Sequence, residues 1–144
     1  MSRKKGLFIG SLLPTENKPE AGIFFYKLIF FLNKDIAETY VIYPKKINFI
    51  FKDRFPKEMR TIFNFSSRPY YLSLGFLRHL KHIYKYINLI CFFTFFCAIK
   101  RSYNKLIFKG FIKPDFVYSH FISPAGIAAA ILSFEKNIPC FVAV

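Results

Sequence analysis

The first 44 residues combine short apolar runs, a polar loop and a helical repeat of apolar positions. Residues 6–11 are an apolar run after a basic tail, which predicts a buried strand of a parallel sheet. Residues 15–21 hold Pro, Asn, Lys and Glu and predict a loop, whereas apolar steps of three and four in residues 22–33 predict a helix. Residues 39–43 are β-branched and aromatic and predict a second strand. In such a βαβ unit, the right-handed crossover places the loop after the first strand at the C-terminal edge of the sheet.

The middle of the chain is irregular until a long helical pattern begins. In residues 45–75, Phe and Ile alternate with Lys, Arg and Asn, and prolines interrupt any long element. We therefore expect one strand near residues 47–51 and loop elsewhere in this segment. Apolar and basic residues then recur at helical spacing over residues 74–111, which predicts one long helix or two joined helices, ended by Gly110 and Pro114.

The C-terminal part repeats the order strand, helix, strand. Residues 115–119 predict a strand, and residues 124–134 predict a helix whose alanines allow close packing on a sheet. Asn137 is expected to end this helix, and residues 138–144 predict a further strand. The whole order indicates the α/β class, with a doubly wound, mostly parallel sheet in one domain of residues 1–144.

Composition limits the class of protein and of partner. With 144 residues and 53% hydrophobic content, the chain can bury one core and is too apolar for a disordered polar chain. Its net charge of +14 implies attraction to an anion, for which nucleic acid, anionic lipid and sugar phosphates are the candidates. An A/T-rich gene is an equally good explanation of the many lysines, since Phe, Ile, Tyr and Asn are abundant too.

Neither the cysteines nor the apolar segments indicate export or a membrane span. Cys91, Cys97 and Cys140 form no C-x-x-C pair and no even set, which predicts buried thiols in a reducing compartment. The apolar run after the basic N-terminus breaks at Pro14, so it does not predict a signal peptide. The longest uncharged stretch, residues 86–99, is shorter than the roughly 17 to 25 residues of a spanning helix. It favours a core or interfacial helix, with a small membrane-associated protein as an alternative.

The first candidate site is the loop over residues 14–22 with the start of the first helix, at Gly22 and Ile23. A glycine lets ligand and backbone approach closely, and the first amides of a helix are donors directed at an anion. These two residues are therefore predicted to bind phosphate. A simple turn before the helix is the alternative, because a single glycine in this position is a weak signal.

The second candidate site is His120, at the end of the strand predicted over residues 115–119. Strand ends at this edge carry ligand contacts, and a histidine can donate or accept a hydrogen bond near neutral pH. We expect a catalytic histidine at the rim with little burial; a histidine satisfied within the fold is the alternative. His79 and His82 have no acidic residue or cysteine at metal-ligand spacing, and no metal site is predicted.

The third feature is a basic interval, residues 59–114, which contains ten basic residues and no acidic one. Leu77, Leu80, Tyr84 and Ile87 would form an apolar face along it. Together these features predict a helix that lies on an anionic membrane, although a core helix with a basic outer face fits the pattern equally well. The predicted membrane-surface residues are Arg78, Lys81, Lys85, Lys105 and Lys109.

The pattern by itself indicates a basic α/β domain that binds an anionic ligand. No nucleophile elbow, Walker loop or G-x-G-x-x-G occurs in the sequence. A basic nucleic-acid-binding domain is the alternative suggested by the charge and the aromatic content. It is disfavoured because the Phe residues lie mostly in apolar runs typical of a core rather than in an RNA-binding motif.

Two segments resemble the N-terminal domain of family-four glycosyltransferases, the retaining GT-B enzymes that build bacterial polysaccharides and glycolipids. Residues 7–28, LFIGSLLPTENKPEAGIFFYKL, resemble the opening strand, a loop with Pro, and the Gly-Ile-Phe start of the first helix. Residues 113–144, KPDFVYSHFISPAGIAAAILSFEKNIPCFVAV, resemble a run of Pro-Asp, strand, His, small-residue helix and second strand. Tyr118 departs from the family, which often has a histidine there, and residues 45–75 match nothing in particular.

The resemblance implies the Rossmann-like N-terminal half of a GT-B fold. Gly22 would lie near the donor phosphates or the acceptor, and His120 near the reacting sugar. The implied enzyme transfers a sugar from a nucleoside-diphosphate sugar to a polysaccharide or lipid-linked acceptor, without a metal or other cofactor. Its partners would be the nucleotide-sugar, a glycan or glycolipid acceptor and an anionic membrane surface, but not nucleic acid. The expected location is the cytoplasm or the inner face of the cell membrane.

In this family a second Rossmann-like domain with a paired-glutamate motif holds most of the nucleotide-sugar. The 144 residues contain no such motif, and a strand occupies their last positions. We therefore expect a truncated domain, inactive in isolation, whose donor-binding domain belongs to a longer chain or to a separate partner chain.

Overall fold

The structure is a computed structural model that describes residues 3–11, 13, 19–35, 37–47, 64–65, 70–72, 81–110 and 113–143. The strands are β1 (Lys4–Ile9), β2 (Ala37–Ile42), β3 (Lys45–Ile47), β4 (Asn64–Phe65), β5 (Tyr70–Leu72), β6 (Phe116–His120) and β7 (Cys140–Ala143). The helices are α1 (Ile23–Asp35), α2 (Lys81–Phe108) and α3 (Ile127–Lys136). A wide turn, Ile122–Gly126, leads from β6 into α3.

Five parallel strands form the main sheet in the order β4, β2, β1, β6, β7, and β4 contributes only two residues to it. The chain adds β2 and β4 on one side of β1, then crosses to the other side for β6 and β7. The α/β class and the parallel sheet predicted from the sequence are confirmed. The strand order is that of a sheet wound outward in two directions from β1.

β1 lies at the centre of the sheet and is buried on both faces. Leu7, Phe8 and Ile9 are all fully buried. Because side chains alternate along a strand, Leu7 and Ile9 pack in one apolar cluster while Phe8 packs in another on the opposite face. A continuous apolar run is therefore what a central parallel strand requires.

Helices cover both faces of the sheet. On the Phe8 side, Phe25 and Ile29 of α1 are one helical turn apart, and both pack in the cluster that also holds Val41. On the opposite side, α2 and α3 share the larger cluster. Its helical members are Phe95, Ala98, Ile99, Tyr103 and Leu106 of α2 with Ala128, Ala129 and Leu132 of α3.

α3 ends as the sequence predicts. Asn137 has a left-handed backbone with φ of 52°, a conformation that asparagine tolerates better than most residues. The Asn137 N–H donates to the carbonyl of Phe134, and the Ile138 N–H donates to the carbonyl of Ser133 at 3.0 Å. These bonds satisfy carbonyl groups at the end of the helix, after which the chain enters β7.

The structure corrects three expectations. Residues 45–75 hold two further short strands, β4 and β5; β5 pairs in parallel with β3, and these pairings join segments distant in sequence. α3 begins at Ile127 and not at residue 124, because residues 122–126 form a separate wide turn. The three cysteines are half-buried and not buried. Of the predicted strand over residues 47–51, only Ile47 lies within the described residues.

Among the described helices, none combines the length and hydropathy of a membrane span. α2 has 28 residues but carries five basic side chains, at Lys81, Lys85, Lys100, Arg101 and Lys105. The first seven residues of the helix predicted to begin at residue 74 lie outside the described residues.

Candidate functional site

The C-terminal ends of β1 and β6 lie side by side at the centre of the sheet. From β1 the chain goes on to α1 on one face, and from β6 it goes on to α3 on the other face. The Ser119 hydroxyl is buried and donates to the carbonyl of Ile9 at 2.9 Å, which ties the two strand ends together. Open parallel sheets bind ligands at such a point, where the winding direction reverses.

Side chains alternate between the two faces along β6, and the His120 side chain lies on the face that α1 covers. Val117 and Ser119 of β6 are fully buried on one face, whereas Phe116, Tyr118 and His120 are half-buried on the other. The His120 ring stacks on Phe25 of α1, with 6.1 Å between ring centroids and 25° between ring planes. Phe25 is in the first turn of the helix, so His120 lies against the helix start.

Phe121 packs against the His120 ring as well. Its ring meets that of His120 edge-on, with centroids 4.4 Å apart and planes at 76°. Its backbone has φ of 73°, which is costly for a residue with a Cβ. Two hydrogen bonds fix this conformation: the Phe121 N–H donates to the Ala143 carbonyl at 2.9 Å, and the Phe121 carbonyl accepts from the Gly126 N–H at 3.1 Å. Such strained positions cluster at functional sites.

His120 carries a buried ring nitrogen that lacks a partner. Its Nδ1 atom is buried and makes no hydrogen bond within the described part of the chain. Burying an unpaired polar atom costs about 1 to 3 kcal/mol, so native proteins pair nearly all of them. The half-buried ring corrects the expectation of a rim histidine with little burial. A ligand hydroxyl or a water at Nδ1 would satisfy this atom.

Gly22 and Ile23 open α1 as predicted. Gly22 has φ of 67°, a left-handed conformation that glycine adopts without steric cost, and its carbonyl accepts from the Tyr26 N–H at 3.0 Å. The Ile23 N–H donates to the Glu20 carbonyl at 3.4 Å. The Ile23 amide, one of the two predicted to bind a phosphate, therefore already has a partner. The main attraction for an anion here is the partial positive charge at the start of the helix.

Gly10 connects β1 to the same site. Its N–H donates to the Ile42 carbonyl at 3.2 Å. A Cβ at Gly10 would lie 2.4 Å from Cε1 of Phe25, a ring that is only 1% exposed. The absence of a side chain at Gly10 is therefore what allows Phe25 to sit between the end of β1 and His120.

Tyr118 packs against the same aromatic rings. Its ring stacks on Phe25 at 6.1 Å and 17°, and its centroid lies 5.6 Å from that of Phe8. Burial raises the pKa of the Tyr118 phenol, so the group is a neutral hydrogen-bond donor or acceptor at physiological pH. The structure thus places Tyr118 beneath His120 on the same face of β6.

Two of the predicted membrane-surface residues lie away from this site. Lys105 and Lys109 are exposed near the C-terminal end of α2, at the opposite edge of the sheet. Lys85 is exposed near the start of α2, and Lys81 begins that helix. Arg78 lies outside the described residues. Ile87, predicted to face the membrane, is buried.

The sequence predicts His120, Gly22 and Ile23 as site residues, a prediction that stays open, and it does not single out the residues packed around His120. Phe25 looks like any apolar residue of a helix, and the left-handed backbone of Phe121 leaves no signal in the sequence. Gly10, a glycine directly after a strand, was the one visible clue. Within the described residues, no group of three His, Cys, Asp or Glu side chains could hold a metal ion.

Comparisons with family models, with curated proteins and with solved structures found no match to this chain. The assignment of a function therefore depends on the edge of the sheet around His120, on the strand order and on the two segments described above.

Proposed function

We propose that the chain is the acceptor-side domain of a retaining GT-B glycosyltransferase and that the edge at His120 holds the transferring sugar. One observation carries this proposal: His120 stands where the winding of the sheet reverses, against the first turn of α1, with its Nδ1 buried and unpartnered. A sugar hydroxyl has the chemistry to pair with that nitrogen.

The strand order supports the Rossmann-like part of the proposal. The two resembling segments, residues 7–28 and 113–144, are far apart in sequence. In the sheet they supply the neighbouring strands β1 and β6, with β7 alongside. The His120 ring stacks on Phe25, three residues after Gly22 in the first turn of α1.

In the proposed reaction, the bond between C1 of the sugar and the diphosphate oxygen breaks, and C1 bonds to the acceptor oxygen on the same face. The proton of the acceptor hydroxyl passes to the leaving diphosphate. His120 positions the sugar by hydrogen bonding, and the start of α1 at Gly22 stabilises the negative charge on the diphosphate. This scheme uses the chain's own polar groups and needs no metal or other cofactor.

The proposed partners follow from the roles given to His120 and to the start of α1. The nucleotide-sugar binds mainly to a second Rossmann-like domain, in the same polypeptide or in a separate chain. That domain closes over the edge of the sheet at His120. The acceptor is a polysaccharide or a lipid-linked glycan.

Proton NMR of the imidazole rings tests the site in the 144-residue chain itself. The chain has three histidines, His79, His82 and His120, so His120→Gln identifies the relevant signal. On addition of UDP-glucose, GDP-mannose or inorganic diphosphate, we expect the His120 signal to move saturably with the two nucleotide-sugars and less with diphosphate alone. The other two histidines serve as internal controls for non-specific attraction to the +14 chain. Equal movement of all three signals, or none at His120, would contradict the proposal.

A further inference from the structure

Phe121 combines a strained backbone with an exposed ring. Its φ of 73° and ψ of 140° lie outside the regions that residues with a Cβ normally occupy, whereas a glycine would adopt them without strain. The position nevertheless holds a phenylalanine, whose side chain is 41% exposed. A ring this exposed recovers only part of the free energy of burial, so packing alone is a weak reason for the strain.

The neighbouring backbone holds Phe121 in this conformation. Its N–H donates to the Ala143 carbonyl at the end of β7, and its carbonyl accepts from the Gly126 N–H in the turn before α3. Gly126 has no room for a side chain, because a Cβ there would lie 2.7 Å from the Phe121 carbonyl oxygen. Both β7 and the turn therefore fix the position of this one ring.

The Phe121 ring lies at the C-terminal edge of the sheet, directly beside His120. The two ring centroids are 4.4 Å apart, with the ring planes at 76°. His120 also stacks on Phe25, but that ring is 1% exposed and closed to a ligand. Ile122, the next residue in the chain, is 53% exposed. An apolar surface open to solvent thus adjoins a half-buried imidazole.

A pyranose sugar matches this pair of surfaces. Its C–H groups form apolar patches on the faces of the ring, and its hydroxyl groups project around the rim. The electron-rich face of a phenyl ring attracts such C–H groups, and an imidazole nitrogen can hydrogen-bond a hydroxyl. Small-ligand sites generally combine an apolar or aromatic lining with a few polar groups that fix orientation. A diphosphate, by contrast, gains nothing from contact with a phenyl ring.

We propose that Phe121 contacts the substrate and that one C–H face of the transferring pyranose packs on its ring. This inference rests on the proposed function, which puts that sugar at His120. It gives the strain a reason, because a glycine would relax the backbone but offer no ring to the sugar. The substrate class is then a pyranose with one face free of axial hydroxyl groups.

Saturation-transfer NMR tests the contact in the 144-residue chain itself. With protein protons saturated in the presence of UDP-glucose, we expect transfer to the C–H protons on one face of the glucose ring, in preference to the other face and to the uracil protons. Phe121→Gly should largely abolish this transfer. Phe121→Trp keeps an aromatic surface and should retain it.

Affinity and stability of two further variants separate a binding role from a packing role. Phe121→Ala and Phe121→Gly both remove the ring, so each should raise the dissociation constant for UDP-glucose about tenfold. Only the glycine relieves the backbone, so its thermal midpoint should exceed that of the alanine variant, the reverse of the usual order. Phe134→Ala is the control for loss of an exposed ring, since that side chain is 90% exposed near the far end of α3, and it should bind as the parent chain does.

Three results would overturn the inference. If the parent chain binds UDP-glucose and the Phe121→Gly and Phe121→Ala variants bind it equally well, the ring does not contact the sugar, while the proposed function stands. Transfer mainly to the uracil protons, lost in Phe121→Gly, would assign the ring to the nucleobase. A parent chain that shows no transfer to any glucose proton would overturn the proposed function and this inference with it.

Discussion

Replacing His120 with alanine is expected to lower sugar transfer by about 10² to 10⁴, the scale for loss of a positioned polar or acid–base group. The measurement requires the chain to be joined to the nucleotide-sugar-binding domain of a family-four enzyme. Stability should fall by no more than about 1 kcal/mol, because the lost contacts with Phe25 and Phe121 are offset by removal of the unpartnered Nδ1.

Two control variants separate a functional histidine from a structural one. His82→Ala removes a histidine from α2 and should leave transfer unchanged. His120→Gln keeps a polar side chain at the site and should recover part of the lost turnover. If His120→Ala left turnover intact and lowered the thermal midpoint by several degrees, the histidine would be a packing residue and the site assignment would be wrong.

Replacing Phe25 with alanine should destabilise the chain by about 3 to 5 kcal/mol, the usual cost of deleting a buried aromatic ring. Phe25 is 1% exposed and contacts Phe8, Tyr118 and His120, so the cavity would open between the sheet and the first turn of α1. Urea unfolding of the 144-residue chain measures this free energy.

Phe24→Ala is the matched control, since the neighbouring ring is 78% exposed in the same helical turn. We expect it to change stability by no more than about 0.5 kcal/mol. Equal destabilisation by the two variants would mean that α1 does not pack on β1 through Phe25. The structural link between the end of β1 and His120 would then be lost.

Much of the fold could be predicted because the central strand β1 ends in an uninterrupted apolar run. Leu7, Phe8 and Ile9 can satisfy burial on both faces only in the middle of a parallel sheet. Asn137 marked the end of α3 because its side chain tolerates a left-handed backbone. Both signals depend only on the types of neighbouring residues in the chain, so they can be recognised from the sequence alone.

The remaining elements depend on contacts between distant segments. β4 pairs two residues with β2, and β5 pairs with β3, without a run long enough to show a period of two. In α2 the sequence is apolar on nearly all sides, so periodicity could not tell buried Phe95 from exposed Phe93. Only the position of the sheet decides which ring is covered.

The candidate site was predicted in part for a topological reason. Parallel strands bring their C-terminal ends to one edge, so His120 and the start of α1 could be expected near each other. The contact between them was not predictable, because it depends on the bare Cα of Gly10, the ring of Phe25 and the left-handed backbone of Phe121. Their roles in catalysis and binding stay predictions.

The most direct test of the central claim is the stereochemistry of sugar transfer. The 144 residues alone should give no turnover with any nucleotide-sugar, because positioning of both substrates supplies most of the catalysis. Joined to a family-four donor domain, the chain should transfer an α-linked sugar from an α-linked donor, with the anomer identified by NMR of the product. An inverted β-linked product, or turnover by the 144 residues on their own, would contradict the account.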